Sequence, residues 1–162
     1  MAGCSTNPIV INYSPSTLVE RKGGVEVGKF NYKMKDDGKV KENEIQKTTV
    51  GDLIIDRKVS DLIENALKLE FKFSGIDVSN KSNNKLSGTI ERLFFDDLGM
   101  NLDTDLTIKY ILTKQGSECF VKTISTSKKS PKFSNPTGQV SETIKENIET
   151  LLKDEKFISC IK

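Results

Sequence analysis

The stretch RKVSDLIENALKLEFKFS, Arg57 to Ser74, decides how this chain folds. Val59, Leu62, Ala66, Leu69 and Phe73 recur at steps of three and four, and Ile63 and Leu67 widen the stripe. The spacing predicts a helix with one apolar side, which needs a sheet to cover it. Asp56 offers a side-chain oxygen to the free amides of the first turn, and Gly75 is free to turn left-handed past the end.

Downstream, the covering material is legible. Ile76 and Val78 start a brief strand, and Ser79 to Lys85 is a polar loop. Leu86 to Asp96, Leu102 to Thr113 and Glu118 to Ser127 read as an antiparallel meander with turns at Asp97 to Asn101 and at Gln115-Gly116. In its middle strand Leu102, Leu106, Ile108, Tyr110 and Leu112 share one face, while Asp103, Asp105, Thr107 and Lys109 share the other. Asn135-Pro136 opens a last long helix with Val140, Ile144, Ile148, Leu151 and Leu152 as its stripe, and Asp154 caps a short terminal turn.

Upstream, residues 25–35 and 39–47 flank Asp37-Gly38, a dipeptide suited to a two-residue hairpin turn. A hairpin is expected there, its lysine-rich tip carrying Met34 and Val40. Ser5 to Gly24 is polar and broken by Pro8, Pro15 and Gly23-Gly24, and reads as a flexible tether with a short strand at Ile9 to Ile11. The expected architecture is α+β: a mostly antiparallel sheet of four or five strands with two long helices on one face. Residues 1–24 form the tether and residues 25–162 a single domain.

Composition narrows the chemistry. Twenty-five basic and 23 acidic side chains leave a formal charge of +2, which gives no excess field for a nucleic-acid backbone. Lys128, Lys129 and Lys132 are too few to change that. The chain has no histidine, which excludes imidazole-based triads, and no Cys-x-x-Cys pair, so neither catalytic residues, a metal site nor a cofactor is expected. Asp103 and Asp105 project together from alternate strand positions, and solvent-facing carboxylates are the favoured reading over a cation site. No run of 18 apolar residues occurs, so no helix spans a bilayer.

Ala2-Gly3-Cys4 has the residue order of a bacterial lipobox, two small residues before a cysteine whose thiol accepts lipid. The basic and apolar regions that precede a lipobox are absent, so a longer precursor is expected. With Cys4 assigned to lipid, Cys119 and Cys160 remain as a pair in an oxidising compartment. Two alternatives stay open for them: a bridge, or two separate buried cysteines acting as small apolar residues.

Taken together, the lipobox, the tether, the helix closing in Ser74-Gly75-Ile76, the meander and the end Ile158-Ser159-Cys160-Ile161-Lys162 resemble the YajG-type bacterial lipoproteins. Relatives often carry an Asp-x-Arg step where this chain has Asn31-Tyr32-Lys33. The resemblance implies a non-enzymatic cell-envelope lipoprotein, joined to the membrane through lipid on Cys4 and to an unidentified envelope protein. Ser5 after the acceptor resembles the pattern that sends such proteins to the outer membrane, facing the periplasm. The rival expectation is a soluble periplasmic module that binds a small ligand or glycan between the helices and the strand ends.

Overall fold

The computed structural model describes residues 7–49, 51–132 and 134–162. Its strands are β1 (Gly24–Tyr32), β2 (Glu44–Lys47), β3 (Leu53–Ile54), β4 (Asp77–Val78), β5 (Asn84–Asp96), β6 (Asn101–Lys114) and β7 (Ser117–Pro131). The helices are α1 (Lys33–Asp36), α2 (Val59–Ser74), α3 (Pro136–Leu152) and α4 (Glu155–Ile161).

The meander is present as β5–β6–β7, antiparallel throughout. Period-two burial along β6 runs from Leu102 to Leu112 and includes Thr104, so hydrophobic alternation sets the register of the three longest strands. The rest of the sheet corrects the expectation of a mostly antiparallel one. β6 pairs the whole of β5, and on β5's other edge β1 and β2 lie end to end, both parallel to it. β1 also pairs parallel with β4, and β3 pairs antiparallel with β2. Among the described residues the sheet is therefore mixed and seven-stranded, and four helices accompany it.

The expected hairpin across Asp37-Gly38 does not form. β1 ends in the short helix α1, and Gly38, at φ 73°, closes that helix with its amide on the Lys35 carbonyl. Met34 and Val40 turn inward and are buried. Two alternating strands around Asp-Gly look alike whether they pair with each other or both join a third strand. Here both join the third strand, β1 beside Lys85 to Ile90 and β2 beside Phe94 and Phe95 of β5.

α2 starts two residues later than expected, with Lys58 at its N-cap and no side-chain cap. Asp56 instead holds Arg57, at 2.8 Å, and the Ile11 amide. Gly75 ends the helix in the left-handed conformation, φ 102°. The buried side of α2 runs through Ile63, Ala66, Leu67, Glu70, Phe71 and Ser74, while Phe73 is exposed. Asn135 caps α3 from its side chain, with Pro136 next in the first turn.

α2 and α3 touch each other, α2 packing on β1 and α3 on β6 and β7. A row of polar side chains at helical spacing, Gln139, Thr143 and Asn147, faces the sheet from α3. Gln139 donates to the Leu102 and Lys128 carbonyls, and Asn147 donates to the Ile124 carbonyl and accepts from the Tyr110 hydroxyl at 2.7 Å. α3 thus pairs its buried amide side chains with main-chain carbonyls of β6 and β7.

Asp154 accepts from the amides of Lys156 and Phe157 and from the Lys122 ammonium, starting α4 and pinning it to β7. Burial favours the neutral acid, but the Lys122 ammonium and the two amides outweigh it and hold this carboxyl below the usual aspartate range. A depressed folded value stabilises above the unfolded pKa of about 3.9 and is lost as pH falls through the folded value. Melting temperatures of wild type and Asp154→Asn should therefore converge on acidification below about pH 4. An unchanged gap between the two across that range would contradict this role.

Candidate functional site

Residues 9–22, expected to lie within a free tether, are fastened along the helical layer. Ile9 bridges Ile55 in parallel, Ile11, Tyr13 and Thr17 are buried, and the Arg21 amide donates to the Ser74 carbonyl at 2.8 Å. On the α3 side, the Arg21 guanidinium donates to the Leu152 carbonyl, also at 2.8 Å. The segment is a strap that enters near the start of α2 and leaves near the ends of α2 and α3.

Its lock is Glu70, which is fully buried in the stripe of α2. The carboxylate accepts from the Tyr13 hydroxyl at 2.7 Å, from the Thr17 amide at 3.0 Å and from the Ser16 amide at 3.2 Å. Burial first, and then the hydrogen bond to Glu70, push the Tyr13 phenol far above its ordinary value, so it stays a donor at any physiological pH. Sequence reading missed this site. The signal was an acidic residue standing between Leu67 and Phe71 in the middle of an apolar stripe, where a charge stays only if it is partnered.

Where the strap ends, Glu20 to Lys22, Phe73 to Gly75, Glu155, Ile158 and Lys162 surround an open groove of about 690 Å³. Phe73, 59% exposed, is its aromatic wall. Between the strap and the start of α3 lies a second open depression, lined by Val10, Ser14 and Glu142 among others. The space between the long helices, where a small ligand was expected to sit, is in large part taken by the chain itself.

The cysteine pair left open by the sequence is a bridge. Cys119 and Cys160 are bonded, with their α-carbons 6.1 Å apart, which ties α4 to the start of β7. Closing a loop of 41 residues stabilises by about 4 kcal/mol on the chain-entropy account. Cys4 lies outside the described residues. Asp103 and Asp105 do project together, but each faces a base: Lys129 stands 3.8 Å from Asp103 and Arg92 3.8 Å from Asp105, with the Ser127 hydroxyl donating to Asp105. Among the described residues, no group of three or more Cys, Asp or Glu is arranged for a metal ion. Likewise, no helix among them is long and apolar enough to cross a membrane.

No protein-family model matches the chain, and no curated protein matches it. Solved structures share its fold. A Xanthomonas campestris protein of the DUF330 family superposes with a TM-score of 0.64 at 14% identity, covering 90% of each chain. A hypothetical protein of Chlamydia trachomatis reaches 0.61 at 7% identity, over 87% of this chain and 99% of its own. A minor lipoprotein from Acinetobacter baumannii reaches 0.50 at 14% identity, over 86% of this chain and 93% of its own. The fold is one that a bacterial lipoprotein also adopts. At these identities the likeness concerns the fold alone.

Proposed function

We propose that this chain is a non-enzymatic bacterial envelope lipoprotein of YajG-like type, held to the membrane by lipid on Cys4 and offering its body to another envelope protein. The observation that carries this reading is the strap. A segment starting five residues after the lipobox cysteine is locked to the helices by a buried carboxylate, so pull on the anchor is delivered to the domain's core. The bridge between Cys119 and Cys160 supports an oxidising compartment. Ser5 supports the outer membrane, on its periplasmic side, as the destination.

Expression of the full precursor in a bacterial host, with intact mass and fractionation as readouts, tests the proposal. The mature chain is expected to begin at an acylated Cys4 and to sediment with membranes. Cys4→Ala is expected to move it to the soluble fraction, because the variant loses every acyl chain and no helix among the described residues can span a bilayer. A mature chain without lipid on Cys4 would end the proposal.

A further inference from the structure

We infer that the β5–β6 turn, Asp97 to Met100, rests in the lipid headgroup layer, so that this end of the domain is a second, direct membrane contact. The inference rests on Cys4 as the anchor. Leu98 and Met100 stand 65% and 89% exposed on the turn, two large apolar side chains on a narrow tip. The turn is tied at its base: Asp97 accepts from the Thr49 amide, and the Lys47 ammonium lies 4.0 Å away. Asp96 accepts from the Thr48 hydroxyl.

Topology places this tip on the anchor's side. The bridge of Ile9 to Ile55 is parallel, so the strap followed backwards from Ile9 runs with the chain followed backwards from Ile55. That path leads through β3 to the loop after β2, and Thr48 and Thr49 in that loop hold the β5–β6 turn. Because the strap is bound from Ile9 onward, only the residues between Ile9 and Cys4 separate body from anchor. The four residues between them make five steps from Cys4 to Ile9 and span at most about 18 Å. A domain on so short a leash cannot stand clear of the headgroups.

The chemistry of the tip fits lipid better than protein. Two side chains on a hairpin end offer far less than the roughly 800 Å² per partner that a stable protein interface needs. Insertion into the interfacial layer asks for apolar side chains and no matching shape. Of the neighbouring acids, Asp97 faces Lys47 and Asp103 faces Lys129, Asp96 accepts from the Thr48 hydroxyl and the Leu98 amide, and the Lys132 amide donates to the Met100 carbonyl, which keeps a further lysine beside the tip.

The chain has no tryptophan, and with Cys119 and Cys160 bonded Cys4 is the one remaining cysteine. The full chain can therefore be coupled through Cys4 to a maleimide lipid in phosphatidylethanolamine and phosphatidylglycerol vesicles, with single tryptophans as depth reporters. Leu98→Trp and Met100→Trp should show blue-shifted emission that brominated acyl chains quench. Leu18→Trp, 92% exposed near the far end of the strap, should show neither. Absence of quenching at 98 and 100 overturns the inference, as does equal quenching at 18. A blue shift without bromolipid quenching assigns the tip to a contact between copies and overturns it too. Because the coupling supplies the anchor chemically, these outcomes are independent of whether cells acylate Cys4.

Discussion

Gly88→Ala is expected to lower stability by about 3–5 kcal/mol, a large loss for the addition of one methyl group. A β-carbon at Gly88 would lie 2.2 Å from the Lys109 carbonyl oxygen and 2.7 Å from the Phe30 ring. Neither neighbour can yield. Lys109 is fixed in the β5–β6 ladder, and Phe30 is packed edge-on against Tyr110 with ring centroids 6.0 Å apart. The missing side chain at Gly88 is what lets the Phe30 ring lie on the sheet. Thermal unfolding followed by circular dichroism should show a fall of roughly 10 °C or more. Gly138→Ala is the control: it sits in α3 with nothing within 4 Å, and should gain up to about 1 kcal/mol from helix propensity. Equal melting temperatures for the two variants would contradict this account of Gly88.

Glu70→Ala should release the strap. It removes the acceptor for Tyr13, Ser16 and Thr17 together, leaving their donors facing a cavity, at a cost of about 3–5 kcal/mol across the three. Amide exchange at Ser16 and Thr17 should accelerate by roughly 100-fold or more, while β6 amides change only with global stability. Glu70→Gln should fall between, since its amide keeps one acceptor oxygen but presents donors to donors. Unchanged protection at Ser16 and Thr17 in Glu70→Ala would show that apolar burial of Ile11 and Tyr13 holds the strap without the carboxylate. If Cys4 is the anchor, release would also place about twenty residues between it and β1, enough to let the β5–β6 turn leave the headgroup layer.

The parts of the fold that were legible in the sequence are those whose pattern answers to a neighbour close in the chain. β6 alternates cleanly because both its partners are its sequence neighbours, so Leu102 to Leu112 could be assigned to a face without knowing the rest. Asn135-Pro136 and Gly75 mark helix ends by local backbone preference alone. The failures involve distant partners. β1 and β2 carry the alternation of a hairpin, and nothing in residues 25–47 states that β5 will receive both. Phe73 was placed in the α2 stripe by stepping four from Leu69, yet the helix turns 100° per residue, so the buried line drifts onto Glu70, Phe71 and Ser74. The strap was read as a tether because it is polar, and its polar main chain is what Glu70 binds. Gln139 and Asn147 were passed over beside the apolar stripe, although their spacing through Thr143 repeats every four residues.

The parallel pairing of β1 with β5 also sets an order of events. Glu26 lies opposite Lys85, so a chain that emerges from its N-terminus presents β1 unpaired beyond the two residues that β4 can take, Gly24 and Val25, until β5 follows. At about 5–20 residues per second that interval is roughly 3–12 s during synthesis. The meander needs only near neighbours and can close as soon as it is complete, whereas the strap waits first for Ile55, Glu70 and Ser74 and, for the tie of Arg21 to Leu152, until α3 is made. Until β5 follows, Val25, Val27 and Phe30 on an open strand are the binding motif a holdase chaperone would meet first, which makes that interval, more than final stability, the step at which this fold is most exposed.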